Sequence, residues 1–430
     1  MDARGLTTDT EVRAEELART SYGRLLAILA ASSRDIELAE DSLSDAFAQA
    51  LSTWPKSGVP QNPEAWLLTV ARNRQRDVVR TAAHRLTVSI DDAAVGNVAE
   101  VLDNLDPDDI PDRRLALLFV CAHPAIDPAV RTPLMLQTVL GFDAERTARA
   151  FAMLTSTLAQ RLVRAKRRIH DAGIPFVVPD RSQMPARLAP VLEAIYGAYA
   201  IDWQLVAGIS ERESLAAESH WLAVTLTELL PDEPEVLGLA ALISLSLARR
   251  PARGPASEFV PLDEQDMSLW DAELIAAGER YLHHARSINK IGRFQIEAAI
   301  QSVHCARATS GSTDWMALRT LYTALLSIAP TLGARVACAA AVGRLEGPVA
   351  GLAALDTIPE DALHRFQPAW ATRAQLLFEA GSLSEALSAY DKAISLTAHS
   401  GERAYLERRR TRVARAQRVC RWGQVLPRAR

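Results

Sequence analysis

A chain of 430 residues is too long for one ordinary hydrophobic core, which implies two to four domains. With 49% apolar and 23% charged residues but only 6% aromatics, the composition is that of a soluble, helix-rich globular protein. A net charge of −4 excludes a protein that coats nucleic acid through bulk positive charge, so any DNA contact has to be local.

Met1–Glu16 carries charges throughout, and no later stretch stays apolar for the length of a bilayer span, so the expectation is a cytoplasmic protein without membrane contact. Cys121, Cys305, Cys338 and Cys420 are scattered and form no CxxC pair, which indicates neither a disulfide framework nor a zinc site. Charge is segregated along the chain. Arg72, Arg74, Arg76, Arg80 and Arg85 cluster early, an acidic stretch runs from Asp91 to Asp109, and Arg161, Arg164, Lys166, Arg167 and Arg168 form a second basic block.

Apolar residues at helical spacing predict two amphipathic helices between Glu11 and Trp54. The three prolines and one glycine of WPKSGVPQNPE (54–64) predict a loop, with Asn62 as the cap of a helix from Pro63 to about His84. Residues 91–111 read as an acidic interdomain linker. Four short helices are expected over 112–170, the last two at about Asp143–Ala152 and Ser156–His170, with the hydroxyls of Thr155, Ser156 and Thr157 capping the second. On that helix Leu158, Leu162, Ala165 and Ile169 share an apolar face and Arg161, Arg164 and Arg168 another. GIPFVVPD (173–180) then breaks the pattern. Beyond it the chain is helical with a period of 34: Ala306, Ala340 and Ala374, then Gly347 and Gly381, are so spaced, and Tyr322 and Tyr390 by twice that. This is the tetratricopeptide period, and the best unit uses Trp370, Ala374, Leu377, Gly381, Ala386, Tyr390 and Ala393. EPEVLGLAALISLSLA (233–248) resembles another such repeat.

Chemistry concentrates on two helices. Arg72, Arg76 and Arg80 fall at intervals of four on one face of 63–84, with Asn73 and Asp77 beside them. Such a face can hold phosphates while Asn73 reads a base edge, or it can simply be solvated. The helix pair at 143–170 fits a helix-turn-helix whose second member enters a major groove N-terminus first, or a plain helical hairpin with a basic surface. In the first case Gln160, Arg161 and Arg164 reach bases or phosphates, and Lys166 and Arg167 bind backbone. Cys121-Ala122-His123 lacks a second metal half-site, and the histidines have no organised acid or nucleophile. No metal, cofactor or catalytic site is therefore expected. Arg408–Arg430 holds nine arginines and no acid, and reads as a solvated helix end or, as the alternative, a contact for DNA.

AEDSLSDAFAQAL (39–51) and PEAWLLTVARNRQRDVVR (63–80) resemble region two of extracytoplasmic-function sigma factors of RNA polymerase, and STLAQRLVRAKRRI (156–169) resembles their region four. The resemblance implies that Glu40, Asp41 and Asp45 sit on a helix that docks on the β′ clamp of core RNA polymerase. Ser44 stands where that family usually has an amide. It further implies that Asn73, with Arg72, Arg76 and Arg80, meets the melted minus-ten element, where a flipped-out base sits in a pocket formed by the loop 55–64. Thr155, Ser156, Thr157, Gln160, Arg161, Arg164, Lys166 and Arg167 would meet the minus-thirty-five element, with the β flap as a second polymerase contact. The acidic linker would thread a polymerase channel, or be a solvated connection.

VLEAIYGAYA (191–200), LPDEPEVLGLAALISLSLARRPAR (230–253), PLDEQDMSLWD (261–271) and TDW (313–315) resemble a subgroup of these factors with a long tetratricopeptide-like extension. That implies an all-α protein with a region-two domain at 1–90, a linker at 91–111, a region-four helix-turn-helix domain at 112–178 and a repeat domain at 179–430. It also implies that the extension regulates or supports activity through a contact with the sigma domains, and that a small YCII-like (DGPF-type) protein is a partner. The rival expectation is a polymerase-independent helix-turn-helix regulator whose repeats sense a peptide.

Overall fold

The computed structural model describes residues 12–15, 17–18, 21–86, 110–151, 153–180, 182–203, 215–254 and 258–425. All regular structure among them is helical, which is the fold class expected. The chain divides into two compact units, one formed by Met1–Trp203 with Glu211–Thr225 and the other by Gln204–Ser210 with Leu226–Arg430.

The first unit opens with α1 (Tyr22–Ser33), α2 (Ile36–Ser57) and α3 (Pro63–Leu86). Asp35 caps α2 by accepting the Leu38 N–H at 3.1 Å. The helix does not stop at Trp54 but runs through Pro55 to Ser57. A proline in the last turn removes one backbone bond only, and buried Trp54 anchors that turn edge-on against Trp66, with ring centroids 5.5 Å apart. The connecting loop therefore shortens to 58–62, where Asn62 accepts the Ala65 N–H at 3.0 Å as the expected cap of α3. Residues 87–109, which hold most of the acidic linker, lie outside the described residues, and Ile110 already begins α4 (Ile110–Cys121).

Next come α5 (Pro128–Thr138), α6 (Ala144–Ala150) and α7 (Thr155–Asp171). Leu25–Ala30 of α1 and Leu115–Cys121 of α4 are buried without interruption, because α1 packs on α2, α3 and α4 together. The approach of α1 to the end of α5 is close enough to require glycine: a Cβ on Gly23 would collide with the Val139 carbonyl oxygen. The proline-bearing break at 173–180 does not close this core. Helix α8 (Pro185–Trp203) packs on α5 and α4, and the first part of α9 (Leu215–Leu229) belongs to the same unit.

In the second unit, α10 (Pro234–Leu247) is buried from Val236 to Leu247 and lies against α11 (Ala272–Ser287) and α12 (Arg293–Cys305). Its Glu235 carboxylate accepts the Phe294 and Gln295 N–H groups at 3.1 and 3.3 Å, satisfying the otherwise open start of α12. Then α13 (Trp315–Ile328), α14 (Leu332–Glu346), α15 (Pro348–Asp356), α16 (Gln367–Glu379), α17 (Leu383–Leu396) and α18 (Ser400–Val425) each pack on the next. The unit read from 370–393 is present: Ala374, Leu377, Ala386, Tyr390 and Ala393 share one buried cluster with Trp370 against it. Gly347 and Gly381 end α14 and α16 at φ 98° and 82°, so their separation of 34 is a true repeat of the inter-helix turn. Ala306 is not part of that repeat. It is exposed at the C-terminal end of α12, whereas Ala374 is wholly buried.

Candidate nucleic-acid interface

Helix α3 turns Leu67, Ala71 and Gln75 inward, which leaves the opposite face, at Asn73, Asp77 and Arg80, exposed. Arg72 and Arg76 flank it half-buried. Arg74 is drawn instead to α2, where its Nε donates to Asp45 Oδ2 at 2.8 Å. At the start of α3, Glu64 accepts from Ser21 Oγ at 2.5 Å and pairs with Arg24, which ties α3 to α1.

Asp143 caps α6 by accepting the Arg146 N–H at 2.7 Å. After a turn that leaves Leu154 75% exposed, α7 begins at Thr155. The cap position is Leu154, whose side chain makes no hydrogen bond to the helix start. The expected hydroxyl caps are thus displaced by one position: Thr155, Ser156 and Thr157 lie inside the first turn, and the N–H groups that open the helix are left to solvent or to an anion. Leu158, Leu162, Ala165 and Ile169 form the buried face as expected, and Thr155, Ser156, Gln160, Arg164 and Arg168 are exposed. Arg161 is half-buried beside them.

Lys166 stands apart from the exposed arginines. It follows Ala165 and lies one turn beyond Leu162, on the edge of the apolar face, and its Nζ donates to both Glu40 carboxylate oxygens at 2.6 and 2.5 Å. The two side chains are 9% and 22% exposed. Burial raises the Glu40 pKa more than the Lys166 charge lowers it, so desolvation dominates at this carboxylate. Arg167 Nε lies 3.7 Å from Glu37, and His170 Nε2 lies 4.0 Å from Asp35. The structure therefore joins one residue expected to meet polymerase, Glu40, to one expected to meet DNA, Lys166. Asp41 is exposed and Asp45 is held by Arg74.

Three partners escaped the sequence reading. Arg114 of α4 pairs with Glu218 of α9, and its guanidinium lies 5.0 Å over the Trp221 ring. Burial, with the nearby Arg24 charge, pushes the Arg114 pKa down to about 10. Glu218 and Trp221 fall in a region that reads from sequence only as part of the helical extension, and no local spacing connects them to position 114.

Residues 17–85 match the family model of sigma-70 region 2, a span that coincides with α1–α3, and residues 187–286 match a family of unknown function, DUF6596. A protein of Rhizobium meliloti (strain 1021), uncharacterized protein R00370, is 34% identical over 382 residues, which cover 87% of this chain and 89% of the relative. This chain belongs to that protein's family. Its sigma-70 region 2 carries a sigma-factor-like role in transcription initiation, for which core RNA polymerase and promoter DNA are the binding partners. The DUF6596 span begins in α8 within the first unit and ends in α11 within the second. The crystal structure of yeast Tom70 aligns with 89% of this chain and 81% of its own at 11% identity and a TM-score of 0.32. Among the described residues, no helix is long and apolar enough to cross a membrane.

Proposed function

We propose that the chain is a sigma factor of the extracytoplasmic-function type whose helical extension regulates or supports its activity. The observation that carries this reading is the sigma-70 region 2 match, folded as three helices with Asn73 and Arg80 exposed on α3. In this reading α2 meets the β′ clamp of core RNA polymerase through Asp41 and its neighbours. Helix α3 holds the minus-ten phosphates with Arg72, Arg76 and Arg80 while Asn73 contacts a base edge. Helix α7 meets the minus-thirty-five element, its uncapped first turn and Ser156 toward phosphate and Gln160, Arg161 and Arg164 toward the groove. The β flap and a small YCII-like protein complete the set of partners.

The packing of α8 on α4 and α5 and the Arg114–Glu218 pair favour an extension that acts through the module bearing α7. Two measurements test the reading. Purified full-length chain should be retained by core RNA polymerase and should start transcripts at specific promoters. Arg161→Ala should weaken initiation mainly at promoters that depend on their minus-thirty-five element; equal loss on every promoter variant contradicts that role. Tight duplex binding with no retention by polymerase contradicts the reading as a whole.

A further inference from the structure

Along the edge where α2 meets α7, charges pair in reverse order: Asp35 with His170, Glu37 with Arg167, Glu40 with Lys166. The pairs are unequal. Arg167 is 68% exposed at its side chain, and a solvated pair of that kind contributes little; His170 contributes only when protonated. Lys166–Glu40 is largely withdrawn from water, and a single substitution there leaves an uncompensated charge in a low-dielectric site. An intact buried pair adds little net stability over an apolar contact, because both ions lose hydration. What it does supply is one register that both ions can leave once other charged partners are offered. A second contact, independent of charge, holds the same arrangement: Gly23 lets the α1 backbone meet the Val139 carbonyl at the end of α5. Glycine weakens a helix relative to alanine, so its place inside α1 serves that close approach.

We propose that this arrangement of the first unit is a latched, self-masking form. In it, the acidic edge of α2 and the basic edge of α7 occupy each other, and engagement of polymerase and promoter requires the Lys166–Glu40 pair to part. The proposal rests on the sigma-factor reading for what the two edges bind, but not for the latch itself. While latched, Lys166 is unavailable to phosphate and Glu40 is unavailable to a basic partner, whereas Gln160, Arg164 and Arg167 stay exposed. Release adds the Lys166 cation to the α7 surface and uncovers the Glu40 edge of α2 in one step.

Cys121 reports the latch. It is wholly buried at the end of α4, near enough to Lys166 and Glu40 to feel both charges, and burial raises its thiol pKa to about 12. Its alkylation by N-ethylmaleimide at pH 8 can be followed by mass spectrometry of the full chain, with buried Cys305 of the second unit as reference. Lys166→Glu, which sets two carboxylates together, should raise the Cys121 rate about tenfold or more and leave Cys305 unchanged. Gly23→Ala, which alters no charge, should do the same. The reciprocal chain carrying both Glu40→Lys and Lys166→Glu should return Cys121 to its original rate. An unchanged Cys121 rate in Lys166→Glu overturns the latch. So does a reciprocal chain as reactive as the single variant, which also covers the case in which Lys166→Glu merely loosens the whole fold. Gly23→Ala should in addition bind core RNA polymerase several-fold more tightly than the parent chain. Cys121 exposure without any polymerase binding would leave the latch standing and remove the sigma-factor reading.

Discussion

Asn73 is exposed one position from Arg72 and one from Arg74, yet the three side chains do different things: Arg74 crosses to Asp45, Arg72 is half-buried, and Asn73 faces solvent. Asn73→Ala should therefore leave the fold and polymerase binding intact and reduce open-complex formation, read by permanganate footprinting of a promoter. Arg114→Ala acts differently, because it strands the Glu218 carboxylate, whose side chain is only 21% exposed. We expect a loss of about 2–3 kcal/mol, toward the low end for a broken buried pair since some solvent remains, seen as faster hydrogen exchange in α4. Residues such as Asn73 and Arg80 were legible in the sequence because a helix of period 3.6 assigns faces by arithmetic alone. Lys166 was not. Its position within a basic block suggests a surface role, and only the fold brings Glu40, 126 residues away, within 2.5 Å.

Elements were read well where their signals are local. Asn62 caps α3, and the apolar stripe of α7 is buried as its spacing predicts. Elsewhere tertiary packing overrides the local signal. Pro55 lies inside α2 because Trp54 and Trp66 hold the last turn, and the first residue of α7 follows a leucine rather than a hydroxyl cap. The repeat period gave the turns correctly at Gly347 and Gly381 but misplaced Ala306, since small residues recur by chance in an Ala-rich chain. Gly381 has φ 82°, a conformation that costs an L-residue about 1–2 kcal/mol, so Gly381→Ala should lower the stability of the α16–α17 hairpin by that amount in urea unfolding followed by hydrogen exchange.

At the scale of the whole molecule, the proline-bearing segment 173–180 looks like a domain boundary in sequence, yet the contacts of α8 carry the first unit beyond it. A compositional break marks where a helix must stop, not where a core closes. Truncation after residue 180 should accordingly expose the apolar faces of α4 and α5 and yield a chain that aggregates on size exclusion, whereas truncation after residue 229 retains those contacts and should elute as a discrete species. Whether this chain directs polymerase to promoters is read out by run-off transcription with purified core RNA polymerase over a library of genomic promoters. Transcripts from a defined promoter class are expected with the full-length chain and should be lost with Asn73→Ala. Absence of chain-dependent transcripts while the protein remains folded and bound to duplex DNA would contradict it.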